Sequence, residues 1–121
     1  MKFSFAFILP GLPPLNRQHK HWAVLSKQNK EWRSMAAVAT IAAMPDGVRG
    51  NVSKVAVKYT RRSSVECDTD NLHASTKAIQ DGICDTLGCD DRPATLTPLW
   101  AWEHAQPKRG EVKIQIQGAT K

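Results

Sequence analysis

The chain has 121 residues, enough for one domain and too few for two of ordinary size. Hydrophobic residues supply 41% of it, and the longest apolar run, residues 35–44, is broken by Thr40 and too short to span a bilayer. Seventeen basic against eleven acidic residues give a net charge of +6. The charge is unevenly spread. Residues 66–91 hold seven of the acids (Glu66, Asp68, Asp70, Asp81, Asp85, Asp90, Asp91) and a single base, Lys77, so this segment carries −6 and the rest of the chain +12. A basic body attracts polyanions through counterion release, and an acidic cluster within it opposes that attraction unless a cation neutralises it.

In chain order, residues 2–9 alternate Phe3, Phe5, Phe7 and Leu9 with smaller residues, the period of a half-buried strand. No small-residue cleavage site follows this stretch, so a secreted or membrane protein is not expected and a cytoplasmic one is. Pro10, Gly11, Pro13 and Pro14 stop the strand, and a polar loop runs from Asn16 to His21. Ser26 is placed to cap a helix through Ala43, ended by Pro45-Asp46-Gly47. Its inner face is Trp32, Met35, Ala36, Ala39 and Ala43, and its solvent face Lys27, Lys30 and Arg33. A second strand covers residues 52–60, with Val55, Val57 and Tyr59 on one side and Lys54 and Lys58 on the other. Arg61 to Ser64 reads as a turn. A helix from Asn71 to Leu87 has Leu72, Ile79, Ile83 and Leu87 near one face and stops at Gly88. Two late strands, Pro98–Glu103 and Glu111–Gln117, complete a β-α-β-α-β-β order. That predicts a small single α/β (mixed α+β) domain with a mixed sheet and two helices.

The chemistry-bearing residues concentrate in the acidic segment. In an extended chain Asp68 and Asp70 of Asp68-Thr69-Asp70-Asn71 point the same way and could face one ion. A hard cation such as Mg²⁺ takes carboxylate oxygens, and Asp90-Asp91 after the helix could return beside the first pair. Three carboxylates beside a phosphate would form a site for phosphodiester hydrolysis. Each residue also has a structural use: Asp70 or Asn71 as a helix cap, Asp68 as a turn residue, and Asp90-Asp91-Arg92-Pro93 as ordinary loop chemistry. Lys77 falls two helical turns after Asp70, on the same face if the helix is continuous; it is also spaced for an i,i+4 pair with Asp81. Cys67, Cys84 and Cys89 lack a CxxC pair, so reduced thiols are expected rather than a zinc site.

The segment CDTDNLHASTKAIQDGICDTLGCDD resembles the core of the RusA-type Holliday junction resolvases, as do the LPGLPPLNRQHKHW turn and loop, the alanine-rich helix and the compact length. The resemblance spans nearly all of residues 1–121. It implies a homodimeric, Mg²⁺-dependent endonuclease, with Mn²⁺ as a possible substitute, that makes paired nicks in four-way DNA in a bacterial or phage-infected cell and needs no small-molecule cofactor. The family's essential carboxylates fall on Asp68, Asp70 and Asp91, with Asp90 adjoining. Its lysine usually stands four residues after the second aspartate, where this chain has Ala74. The role passes to Lys77, three residues on, whose Lys77-xxx-Asp81 interval also resembles the family's helix. Lys20, Lys27, Lys30, Arg33, Arg61, Arg62 and Arg92 are candidates for phosphate contacts, with Arg61 and Arg62 foremost. His19, His21 and Trp22 could touch an opened base, and Trp100 and Trp102 suit the core or a dimer interface. One rival is a non-catalytic or weakly active binder of branched or single-stranded DNA. Another is a basic interaction protein whose acids cap and solvate a helix.

Overall fold

The computed structural model describes residues 1–13, 22–66, 69–106 and 110–121, and of Trp22, Leu25, Thr69, Asp70 and Asn71 the backbone alone. Alternating side chains build four strands, β1 (Lys2–Pro10), β2 (Val52–Ser63), β3 (Leu96–His104) and β4 (Glu111–Thr120). Their order in the sheet is β1-β4-β2-β3. β4 runs antiparallel to both β1 and β2, whereas β2 and β3 are parallel and therefore need a crossover between them. The last two strands follow one another in sequence without pairing, because β4 inserts between β1 and β2.

Three helices are described rather than two: α1 (Trp22–Ala43), α2 (Thr69–Ser75) and α3 (Lys77–Leu87). α1 begins four residues before the expected Ser26 cap. The predicted second helix breaks at Thr76, for a local reason. Ser75 Oγ donates to the Leu72 carbonyl at 2.9 Å and Thr76 Oγ1 to the His73 carbonyl at 3.0 Å. Side chains that bond the preceding turn compete with the backbone ladder, and here the Thr76 N–H also reaches the His73 carbonyl, at 3.3 Å.

The helices cover one face of the sheet. Val55, Val57 and Tyr59 of β2, Val112, Ile114 and Ile116 of β4, and Leu9 and Leu96 from the flanking strands are buried beneath Ala36, Ile79, Ile83 and Leu87. Each large aliphatic side chain removed from water here contributes about 1.5–3 kcal/mol before its ordering cost. The strand alternation places this core correctly from sequence, and so does the stripe of Leu72, Ile79, Ile83 and Leu87, all buried.

α1 and α3 run in the same direction and touch closely. A Cβ on Gly82 would lie 2.2 Å from the Arg33 carbonyl oxygen and 3.1 Å from the Ala36 methyl. Glycine inside α3 costs helix propensity but permits this approach. Thr86 Oγ1 reaches the Ala37 carbonyl at 3.4 Å one turn further along, and Arg33 clasps Asp85 through Nε–Oδ2 and Nη2–Oδ1 contacts of 2.7 and 2.9 Å. Gly88, at φ 73°, turns the chain off α3, and the Leu87 carbonyl accepts the Gly50 N–H at 2.8 Å, so α3 ends beside the start of β2.

Gly82→Ala sets two effects against each other: a propensity gain of about 1 kcal/mol and an overpacking cost of about 1–3 kcal/mol. The contact with a backbone carbonyl cannot be relieved by rotating a side chain. The expected outcome is a lower urea midpoint at unchanged m-value, whereas a higher midpoint would show that the helices are not in contact at this point.

Candidate functional site

The acidic segment begins where β2 ends and closes where β3 starts. Asp68 lies outside the described residues, as do Lys20, His19 and His21. The backbone of Asp70 falls in the first turn of α2, which begins at Thr69, so Asp70 follows the capping position rather than occupying it. Lys77 is the first residue of α3. Because α2 and α3 are separated at Thr76, the two-turn phase expected between Asp70 and Lys77 does not carry across the break. The Lys77 side chain is exposed, and its Nζ lies 3.6 Å from Asp81 Oδ1 as the i,i+4 pair. A cation at this end of a helix opposes the macrodipole by about 0.3–1 kcal/mol.

Past the other end of α3, Asp90 is fully engaged with Arg92. Its Oδ2 receives Arg92 Nε at 2.8 Å and its Oδ1 the Arg92 backbone N–H at 3.1 Å. These bonds hold the Asp90 carboxyl below its ordinary range. Arg33 acts on Asp85 in the same way and lowers it too. Asp81, Asp85 and Asp90 thus each have a basic partner, whereas exposed Asp91 has no ion-pair partner among the described residues.

Asp91 stands near the turn formed by Cys84, Gly88 and Cys89. The Cys89 N–H bonds back to the Cys84 carbonyl at 3.2 Å, the six-residue closure of a Schellman-type helix end. The hydrogen bond the two thiols share pushes Cys84 up, with burial and the charges of Cys89, Asp91 and Asp81 adding to it, and pushes Cys89 down. Both cysteines are free.

α2 is fastened to β3 by aromatic contacts. The His73 ring stacks on Trp100 at 3.5 Å between centroids, and Trp100 Nε1 donates to Thr76 Oγ1 at 2.9 Å. Tyr59 also stacks with Trp100, at 6.2 Å between centroids, and donates its hydroxyl to Gln80 Oε1 at 3.0 Å; burial pushes its phenol up. Trp102 Nε1 donates to Ser63 Oγ at 2.9 Å. Both tryptophans belong to the helix-covered face, and Trp100 packs against the core.

The two foremost phosphate candidates are not in a turn, because β2 continues through Ser63. Arg61 is buried and donates Nη1 to the Pro13 carbonyl at 3.2 Å. Arg62, on the opposite face, lies between Glu103 and Glu111 at 3.4 and 3.5 Å. Arg33 and Arg92 hold Asp85 and Asp90, while Lys27 and Lys30 are exposed on α1 as expected.

Within one chain the described backbone does not set Asp70 beside Asp91. α2 starts beyond the end of β2, α3 returns to its beginning, and the eleven residues of α3 alone span about 16 Å. Among the described residues no three His, Cys, Asp or Glu side chains gather around a metal-sized site, a set that excludes the side chains of Asp68 and Asp70. The exposed, unpaired carboxylate of Asp91 is the kind of hard oxygen donor that magnesium takes. No helix among the described residues is long and apolar enough to cross a membrane. The chain matches no model of a known protein family, and a search of curated proteins finds no match.

Two measurements check this geometry. Thr76→Val leaves the half-buried Trp100 N–H without its acceptor and should cost about 1–2 kcal/mol, and Trp100→Phe should cost less in that background than in the wild type. In an NMR titration Asp85 and Asp90 should show midpoints below the ordinary value of about 3.9. Because folding depresses both, their contribution to stability is complete above about pH 4 and is lost as pH falls through the lowered midpoints. High salt should move both midpoints toward the ordinary value.

Proposed function

We propose that the protein is a magnesium-dependent, structure-specific endonuclease of the RusA type that nicks four-way DNA as a homodimer. The observation that carries the reading is the charge balance around α3. Three of the four acids between Asp81 and Asp91 are paired with Lys77, Arg33 and Arg92, which leaves Asp91 as the one of the four with no cation of its own among the described residues. Together with Asp68 and Asp70 it makes the ligand set, with Asp90 holding the loop through Arg92. Bound Mg²⁺ would supply Lewis acidity at the phosphate and a more acidic water. Lys77 would neutralise charge developing on the phosphate, which requires it to leave Asp81 when DNA arrives. An exposed ion pair is weak enough for that exchange.

Because Asp70 and Asp91 lie toward opposite ends of α3, a shared ion calls for carboxylates from two protomers. A two-fold dimer would then build two equivalent sites for two opposed strands. The alternative, a binder of branched or single-stranded DNA with little turnover, is favoured by one observation: Lys77 stands beyond the helix break and is already engaged with Asp81.

Cleavage of a labelled four-way junction beside matched linear duplex, with Mg²⁺ and with EDTA, tests the reading. Paired metal-dependent nicks confined to the junction are expected, lost in Asp70→Asn and Asp91→Asn, with Lys77→Ala slowed by about 10²-fold or more. Mixing the two aspartate variants separates the site arrangements. If the carboxylates come from two protomers, the mixed dimer regains one working site and makes single nicks; if each chain builds its own site, the mixture stays inactive. Tight junction binding without nicks in the wild type would establish the non-catalytic alternative, and Ala74→Lys would then show whether the shifted lysine is the defect.

A further inference from the structure

No described helix covers the second face of the sheet, and this face is chemically different from the core. The register aligns its side chains in rows across the strands. At the carboxyl end of β2 one row carries Glu111, Arg62 and Glu103 side by side, and the arginine contacts both acids. The remaining rows contain no acid at all. They carry four lysines, Lys2, Lys54, Lys58 and Lys113, set among uncharged residues that include Ser4, Ala56, Gln115 and Gln117 and two exposed aliphatic side chains, Ile8 and Leu99.

None of the four lysines has an ion-pair partner among the described residues, and Lys2, Lys54 and Lys58 are exposed. Lys58 and Lys113 are diagonal neighbours about 7 Å apart, Lys54 follows about 13 Å along β2, and Lys2 faces Lys54 across Ala119 at about 10 Å. Two grooves, of about 780 and 470 Å³, run over the rows of Lys2, Lys54 and Lys58, with Ser4, Ala56 and Gln117 lining both. Pro93, Ala94 and Thr95 form part of the larger one, directly after the Asp90-Asp91 loop.

We infer that this face is a second nucleic-acid surface, one that seats a duplex arm by its phosphates. Four uncompensated ammonium groups call for a polyanion. A second copy of the same face would bring like charges together. Among the described residues the strands place no aromatic side chain on this face, since Phe3 and Phe5 point to the other, so contact is with the backbone rather than the bases, and a duplex presents phosphate at the higher density. The Glu103–Arg62–Glu111 row repels phosphate at one end, which places the duplex toward the amino end of β2. There the groove opens on the loop that carries Asp91. The inference rests on the nucleic-acid reading above for its partner, and adds a surface distinct from the α1 lysines and from the carboxylates.

The test is fluorescence anisotropy of a labelled linear duplex titrated with the full chain over a series of NaCl concentrations. The wild type is compared with the triple variant Lys54→Gln, Lys58→Gln, Lys113→Gln and with the matching triple arginine variant. Lys54 and Lys58 are exposed and Lys113 is half-buried with no ion-pair partner among the described residues, so circular dichroism and the thermal midpoint should change little. Loss of three phosphate contacts should flatten the slope of log Kobs against log[NaCl] by about 2–3 and weaken binding roughly tenfold or more near 0.1 M salt, while the arginine variant keeps the wild-type slope. Equal affinity and slope in the wild type and the glutamine variant would overturn the proposal while leaving the nuclease reading intact. A change in sedimentation mass in place of a change in duplex affinity would also overturn it, by making the face a contact between copies of the chain. A wild type that binds neither duplex nor junction would remove the nucleic-acid reading and this surface with it.

Discussion

The spacing between α1 and α3 is set by a missing side chain. With only a hydrogen at Gly82, α3 lies against the Arg33 carbonyl and the Ala36 methyl. That contact holds the two helices as one layer, running in the same direction over the central strands. Two consequences follow from the spacing alone. Ile79, Ile83 and Leu87 are buried in one core with the inward side chains of β2 and β4. In addition, Arg33 on α1 meets Asp85 on α3 in a two-point ion pair, so that a residue which looked like a free cation on the helix surface becomes part of the helix–helix contact.

That same pairing bears on the acidic segment. A net charge of −6 over twenty-six residues cannot be left uncompensated without cost, and the fold brings cations to it one by one. Arg33 comes from another helix, Lys77 from one turn before Asp81, and Arg92 from two residues after Asp90. What distinguishes Asp91 is then not its sequence context, which it shares with Asp90, but that Arg92 has been used on its neighbour. A doublet of adjacent aspartates with one nearby arginine makes one structural and one available carboxylate.

Much of this architecture was legible in the sequence because it depends on period. The alternation of Val55, Val57 and Tyr59, and the Leu72, Ile79, Ile83, Leu87 stripe, are buried as read. Gly88 ends its helix in the left-handed conformation. The features that escaped are those set by partners distant in the chain. Arg61 and Arg62 looked like a turn because two charged residues followed by two serines rarely continue a strand. They do continue it, because pairing with β4 satisfies the backbone while Pro13 and two glutamates receive the guanidinium groups. The break at Thr76 had a local signal in the Ser75-Thr76 pair, but its fixture is Trp100, twenty-four residues away. Of the candidate site, the loop position of Asp90 and Asp91 and the Lys77–Asp81 pair could be read from spacing. The separation of Asp70 from Asp91 could not, since it depends on α3 returning to the start of β2.

The second sheet face shows why charge totals are a poor guide to where the free charge of a basic protein lies. Several of the cations that stand out in the sequence, Arg33, Arg61, Arg62 and Arg92, are already engaged by carboxylates or a carbonyl of the chain, Arg33 and Arg92 at its exposed surface. Four lysines without an ion-pair partner among the described residues lie on the sheet, two of them four residues apart on β2 and one each on β1 and β4, where each looks like an ordinary solvent-facing residue. Only the register reveals that they share one surface, and that the two acids facing the same way, Glu103 and Glu111, flank the same arginine at its edge. An exposed sheet face is commonly kept soluble by mixing charges of both signs. Segregating them instead, acids at one end and lysines over the remainder, produces a directional field, and its positive end coincides with the loop bearing Asp91, the one acid between Asp81 and Asp91 that has no ion-pair partner among the described residues.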